Sequence, residues 1–313
     1  MSEREKLLRE EILDTEVSPE MTICELVEAY NQIHGFMAGH LYSALSILRE
    51  AVEKAELRFL SFTANLVSTG LRGVLAQLIK HGIFNVVVTT SGALDHDIAR
   101  SFGGKYYKGY FEADDRFLAE LEIHRLGNVF IPLESYGMVI EKTIHDILDE
   151  VSSERREWSI YELLWKIGSK IADEHSILRA AYEKKVPVIV PGWPDGAFGT
   201  ALFTYSQVHG LKIDYMKDMS LIAEKVFSNK GLSAALIIGG GISKHHVIWW
   251  SQFMEGLDYV VYITTAVEYD GSLSGAHPRE AISWGKVKPQ GKKAIVYGDA
   301  TIILPIIAAC LVK

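Results

Sequence analysis

From about residue 55 onward the chain repeats one pattern: a short apolar run, a loop of small or polar residues, then apolar residues at helical spacing. Strands are expected at 58–62, 84–89, 128–131, 186–190, 212–215, 234–238, 259–264 and 293–297. Helices are expected at 70–81, from Ser91 through Arg100, and at 139–151, 177–185, 219–228, 245–254 and 302–311. The run FNVVVT at 84–89 is rich in β-branched residues and lacks the alternation of a half-exposed strand, so it suits a strand buried on both faces. Strands alternating with helices in this way predict an α/β fold, a doubly wound and mostly parallel sheet of Rossmann-like type.

The segment before residue 55 differs. Residues 1–20 are charge-rich and read as a loose arm or an exposed helix. Between 22 and 55, Ile23, Leu26, Val27 and Tyr30, then Leu41, Ala44, Leu45 and Leu48, recur at helical spacing. Two N-terminal helices are expected there, with a break near Gly35 and Gly39. The polar interruption at 151–159 (VSSERREWS) reads as a loop, because the same alternation resumes beyond it. Residues 1–313 are therefore expected to form a single domain, with 1–55 as a helical extension.

Composition narrows the function classes. Apolar residues make up 48% and charged residues 23% of 313, which is globular. The net charge of −8, with no long basic stripe, argues against nucleic acid as a partner. The N-terminus lacks the apolar core of a signal peptide, and no apolar run is long enough to span a membrane. Cys24 and Cys310 offer neither a disulfide framework nor a metal-ligand spacing, so a reduced, cytoplasmic setting without a metal is expected.

In a doubly wound sheet, ligands bind beyond the carboxyl ends of the strands. The small and polar loops fall there: residues 65–70, Thr90-Ser91-Gly92, residues 191–199, Gly239-Gly240-Gly241, Thr265-Ala266 and Gly298-Asp299-Ala300. No complete G-x-G-x-x-G is present, and a glycine run can be a plain turn. Asp195 could close the turn in PDG, and Asp299 could cap the final helix. Asp95 or Asp97 could cap the helix that runs through Arg100. Lys244-His245-His246 follows the triple glycine. Adjacent histidines diverge and chelate poorly, so no metal is assigned.

The stretch DGSLSGAHPREAISWGKVK, residues 270–288, carries the most chemistry. Its glycines and serines allow close backbone approach to a ligand. A lysine amine becomes nucleophilic in an apolar pocket or beside another cation. Trp284 could supply the apolar wall for Lys286, and Lys288 the neighbouring charge.

These residues resemble the C-terminal signature of the deoxyhypusine synthase family. Seven further blocks follow the family order: SFTANLVSTG, TTSGALDHD, RLGNVFIP, VPVIVPGWPDGAFG, IIGGGISKHH, YITTAVEYDGSLSGA and YGDATIILP. The similarity runs from about Leu57 to Ala309. It implies an NAD site at Asn65, Ser68, Thr90, Ser91, Gly92, Asp195, Gly240, Thr265, Ala266, Asp299 and Ala300. It implies Lys286 as the group-carrying nucleophile, His245 in proton transfer, and amine contacts among Asp95, His96, Asp270, Gly271, Ser272, Glu280 and Trp284. The implied activity is NAD-dependent transfer of the aminobutyl group of spermidine to a lysine of a translation initiation factor precursor, in a homotetramer with sites at a dimer interface. The same residues would serve a homospermidine synthase-like transfer to a free diamine. A regulator that binds polyamine or NAD without catalysis is the reading from another class. Acidic residues of familiar members stand at the positions of His96, Thr200 and Leu273, so a different anchoring of the amine is expected. Glu280 would hold one end, with Asp95 or Asp270 compensating.

Overall fold

The computed structural model describes residues 3–312; Met1, Ser2 and Lys313, the ends of the expected 1–313 unit, lie outside the described residues. Six strands make the central sheet: β1 (Ala55–Phe62), β2 (Val86–Val88), β3 (Val188–Ile189), β4 (Leu232–Ile238), β5 (Leu257–Thr264) and β6 (Val287–Tyr297). They lie in the order β6-β5-β4-β1-β2-β3, and every neighbouring pair is parallel. Phe59 of β1 sits between Val86 of β2 and Ala235 of β4. This is the doubly wound order, with its reversal between β1 and β4. The loops leaving those two strands turn opposite ways and open a crevice.

Eleven helices of eight or more residues surround the sheet among the described residues: α1 (Ile23–Ile33), α2 (Met37–Lys54), α3 (Leu71–Lys80), α4 (Ser91–Ser101), α5 (Gly137–Glu154), α6 (Ile160–Lys170), α7 (Ile177–Lys184), α8 (Ala197–His209), α9 (Tyr215–Ser228), α10 (Gly241–Ser251) and α11 (Ala300–Leu311). Period-two alternation divides the strand side chains between two cores. Leu60, Phe62, Leu236, Ile238, Val261 and Ile263 enter one core, with α3, α7 and α11. Phe59, Ala235, Ile237, Val260 and Tyr262 enter the other, with α9 and α10.

Two expected strands lie outside this sheet. Residues 128–131 fall in Val129–Pro132, the middle strand of a separate antiparallel sheet with Tyr107–Lys108 and Ile123–Leu126. Gly127, at φ +61, turns the hairpin that joins it to the preceding strand. Residues 212–215 yield only Lys212–Ile213, paired with Glu157–Trp158. A segment reading Lys-Ile-Asp cannot bury both faces, as a central parallel strand must. The polar interruption is correspondingly short: α5 runs to Glu154, and Ser159 caps α6 with a capping box to Glu162.

The expectation for the cysteines is corrected. Cys24 of α1 and Cys310 of α11 form a disulfide, with their Cα atoms 5.5 Å apart although they stand 286 positions apart in sequence. The two helices lie side by side, which no spacing in the chain reveals. The bridge ties the N-terminal helices to the last helix of the sheet layer. Residues 3–22 hold one short helix, Glu3–Leu7, and are otherwise largely exposed and irregular.

Candidate active site

At the carboxyl ends of β1, β4, β5 and β6 lies a crevice of about 390 Å³. Asn65, Gly240, Thr265, Ala266, Asp299 and Ala300 line it, six of the positions expected to hold a dinucleotide. Glycine is required in its floor: Gly239 sits at φ +80, and a Cβ on Gly240 would come within 2.0 Å of Ser274 Oγ. Helix α10 begins at Gly241, so its free N–H groups lie beside Gly240. Asp299 accepts from Thr301 N at 2.8 Å and so caps α11 from the crevice wall. A crevice at the switch point, floored by glycine and edged by hydroxyls and a carboxylate, suits a pyrophosphate and its riboses.

The other expected cofactor positions lie outside the lining of this crevice. Ser68 is buried and donates to Asn65 O at 2.7 Å, shaping the loop after β1. Gly92 packs against Ala64, where a Cβ would meet the Ala64 methyl at 3.0 Å. Ser91 Oγ donates to Trp193 O at 2.8 Å, while Thr90 Oγ1 is buried without a partner. Asp195 is exposed, in a turn closed by its N–H to Gly192 O at 3.2 Å.

A second cavity, of about 200 Å³, lies on the α10 side of the sheet. Helix α10 contributes Lys244 and Ile248, β5 contributes Tyr262, and the β5–β6 crossover contributes Leu273, Glu280, Trp284 and Lys286. The Trp-Gly-Lys sequence has a backbone reason. The four-residue helix Glu280–Ser283 ends at Trp284, and Gly285 takes the left-handed conformation at φ +66. Lys286 N then donates to Ala281 O at 2.9 Å, and Lys286 O accepts from Leu257 N at 3.1 Å and Ser251 Oγ at 2.8 Å. The main chain of Lys286 is thus clamped, while its Nζ lies 5.2 Å from the Trp284 ring centroid.

The neighbouring cation is not Lys288. That residue pairs with Asp258 at 2.8 Å and lines a different cavity. Lys244, which sequence reasoning passed over, takes the place instead. It is 1% exposed, donates to Ala276 O at 2.9 Å and lies 4.0 Å from the Tyr262 ring centroid. Burial pulls its pKa down to about 8, against the raising influence of Glu280. Its signal in the sequence was helical spacing: Lys244 and Ile248 are four residues apart and share a face.

His245, next along α10, is exposed and stacks on Trp249 at 5.8 Å; it lies outside the lining of the cavity. Asp270 is also exposed. It accepts from Ser272 N at 2.6 Å, and Ser272 Oγ accepts from Gly275 N at 3.4 Å, so Asp270, Gly271 and Ser272 form the loop itself. Hydrogen bonds from Ser272 hold the Asp270 carboxyl below its ordinary pKa. This loop separates the two concavities: Leu273 lines the lysine cavity, and Ser274 lines the crevice.

The acidic segment of α4 is elsewhere and fully engaged. Asp95 accepts from Ala197 N at 2.9 Å, Phe198 N at 2.8 Å and Tyr136 OH at 2.9 Å, capping α8. Burial raises its pKa despite these bonds. Asp97 caps α7 through Ile177 N and Leu178 N and pairs with buried Arg72 at 2.6 Å. Both aspartates therefore cap other helices, not their own. His96 is 4% exposed, hydrogen-bonded to Tyr106 OH at 2.8 Å, and kept neutral by burial, which lowers its pKa to about 4. Thr200 Oγ1 is spent on Gly196 O at 3.0 Å.

The family model for deoxyhypusine synthase matches residues 25–311, which takes in both concavities. The chain belongs to the deoxyhypusine synthase family. A "Probable deoxyhypusine synthase" of Sulfurisphaera tokodaii is 60% identical over 308 residues, 98% of this chain and 99% of the relative. One from Picrophilus torridus is 46% identical, covering 99% of this chain and 100% of the relative. Among solved structures, a chain from Entamoeba histolytica provisionally assigned to the same family superposes with a TM-score of 0.64 at 19% identity, covering 93% of both chains. AgrE, crystallised with ornithine and NAD+, shares the fold at a TM-score of 0.52 and 13% identity, over 95% of this chain and 34% of its own. The protein is thus an enzyme of the deoxyhypusine synthase family.

Proposed function

We propose that this enzyme transfers the aminobutyl group of spermidine to a lysine of a translation initiation factor precursor, through an imine formed on Lys286. The observation that carries this reading is the single loop at 273–274, which has a crevice suited to NAD on one side and a lysine cavity on the other. Asn65, Gly240, Thr265, Ala266, Asp299 and Ala300 would hold NAD, with Asp195, Thr90, Ser91 and Gly92 beyond the crevice. When bound, NAD supplies the hydride acceptor and later the hydride donor.

The chain's own groups do the rest. Glu280, exposed at the cavity, holds an ammonium end of the amine against the apolar wall of Leu273, Ile248 and Trp284. Neutral Lys286 attacks the oxidised amine carbon, releases diaminopropane and keeps the aminobutyl group as an imine. The acceptor lysine then displaces Lys286. We assign proton transfer to His245, whose exposed face would be enclosed by a second copy in a homotetramer. We assign the enzyme to the cytoplasm; among the described residues no helix is long and apolar enough to cross a membrane. A homospermidine synthase-like transfer is the second reading. It uses the same residues and differs in taking a free diamine as the acceptor.

The test is covalent trapping. Protein with NAD and labelled spermidine, reduced by borohydride, should carry label on Lys286, and Lys286→Arg should fold but take none. Label persisting in Lys286→Ala would overturn the assignment. Product analysis with the protein acceptor and with free diamines separates the two transfers.

A further inference from the structure

We propose that Lys244 is the resident cation of the amine cavity, and that an incoming ammonium group expels its proton to solvent and pairs with Glu280. This rests on the reading that the cavity holds the amine.

Lys244 is 1% exposed, yet no ion pair of the described residues includes it. Of its three N–H groups, one is used, on Ala276 O at 2.9 Å. Its other neighbour is the Tyr262 ring, 4.0 Å from Nζ, and the Tyr262 hydroxyl is itself buried without a partner. A buried lysine and a buried phenol with unused hydrogen-bonding capacity both face a cavity of about 200 Å³, which is where a ligand would complete them.

The surrounding charges decide what that ligand does. Glu280 is the one carboxylate lining the cavity, while Lys244 and Lys286 both line it. Tyr262 on β5 faces Lys244, and burial raises the phenol's pKa, so it stays neutral. His277, which precedes the short helix, is held below its ordinary pKa by burial and by Arg279. Arg279 itself turns to Glu268 at 2.7 Å. On α10, His246 is neutral, its pKa lowered to about 4 by burial, and His245 points to the exposed face. Leu273 adds no acceptor. Lys244 and the substrate ammonium would then face one carboxylate. Two like charges beside one carboxylate repel, and the less firmly held proton is the one displaced. Lys244 holds its proton weakly, at a pKa of about 8, whereas an alkylammonium does not. Neutral Lys244 keeps its N–H on Ala276 O and gains a lone pair for the amine. No covalent bond changes, and the proton goes to buffer.

The experiment is calorimetry of spermidine and of butylamine with NADH present, so that no hydride can be taken up. Buffers of different ionisation enthalpy report the protons released per amine bound. Wild type should release close to one proton near pH 7, and its affinity should rise about tenfold between pH 7 and 9. Lys244→Met should release none and bind amine at least as tightly at pH 7, with little pH dependence. Lys244→Arg, which keeps its charge, should release none and bind about tenfold more weakly. Lys286→Met should still release the proton. Lys244→Gln replaces the methionine variant if that one does not fold. Proton release unchanged without Lys244, or weaker amine binding in both Lys244 variants at pH 7, would overturn the proposal while leaving the amine site intact. If neither amine binds wild type, the amine reading falls, and this inference with it.

Discussion

Two acid-bearing segments of this molecule invite the same functional reading, and their environments separate them. On α4, Asp95 and Asp97 are 1% exposed, and their oxygens accept backbone N–H groups at the starts of α8 and α7. On the β5–β6 crossover, Glu280 is exposed, caps nothing, and faces two lysines across a cavity. A carboxylate that completes a helix N-terminus is committed to the scaffold. One that faces lysines with which it forms no ion pair is open to a ligand. Asp95, expected to help anchor the amine, belongs to the first kind by its contacts, so Glu280 carries that task in the proposed reaction.

The largest effect that tests this division is at Lys286. Lys286→Ala should lower turnover by at least about a thousandfold, with unchanged melting temperature and unchanged NAD affinity, because only the nucleophile is removed. Residual turnover of a tenth or more would place the chemistry elsewhere.

The division itself is tested by making one isosteric change on each side. Glu280→Gln should raise the apparent KM for the amine about ten- to a hundredfold, the weight of one charge-assisted hydrogen bond, and leave stability alone. Asp95→Asn should do the reverse. An amide cannot accept two N–H groups and a phenol as a carboxylate does, so about 2 kcal/mol of stability should be lost while the amine KM holds. Thermal melts and amine titrations of both variants decide it; a crossed result would mean that Asp95 faces substrate in the assembled enzyme.

Much of this architecture was legible because it is local. The runs at 234–238 and 259–263 are apolar throughout, as a strand covered on both faces requires, and they fall in β4 and β5. Helix α6 could have been read too, since Ser159 and Glu162 form a capping box ahead of Ile160, Leu163, Leu164 and Ile167. Helix α8 could not: its cap is Asp95, about a hundred residues earlier, and its apolar residues spread over several faces. The disulfide and the Lys244 cavity were hidden for the same reason, because both join segments that only the fold brings together. The lysine of the Trp-Gly-Lys signature stood out, whereas its neighbour on α10 was masked by two histidines.

Lys244 gives a smaller and pH-dependent effect. Its pKa falls from 10.5 to about 8 on folding, so the folded state binds fewer protons. The destabilisation is fully present below about pH 8 and fades as pH rises towards 10.5. At about 1.4 kcal/mol per unit it is worth at most about 3–4 kcal/mol. Losing the bond to Ala276 and the contact with Tyr262 offsets part of that. Lys244→Met should therefore be more stable than wild type by about 1–2 kcal/mol at pH 7, with the gap closing by pH 10. A methionine variant less stable at every pH would mean that burying the Lys244 charge costs less than its contacts with Ala276 and Tyr262 contribute.

The smallest effect concerns Asp299, which has one foot in each class. It caps α11 through Thr301 N, yet it lines the crevice. Asp299→Ala should cost about 1 kcal/mol of stability through the lost cap and should also weaken NAD binding. Asp299→Ser separates the two roles. A serine caps nearly as well, so the melting temperature should return to within a degree or two of wild type. It offers a single hydroxyl in place of a carboxylate that can accept two ribose hydroxyls, so NAD affinity should stay reduced. Calorimetry of NAD beside thermal melts of the two variants reads both. If Asp299→Ser restores affinity together with stability, Asp299 is scaffold, like Asp95 and Asp97, and backbone and hydroxyl groups of the crevice would hold the dinucleotide.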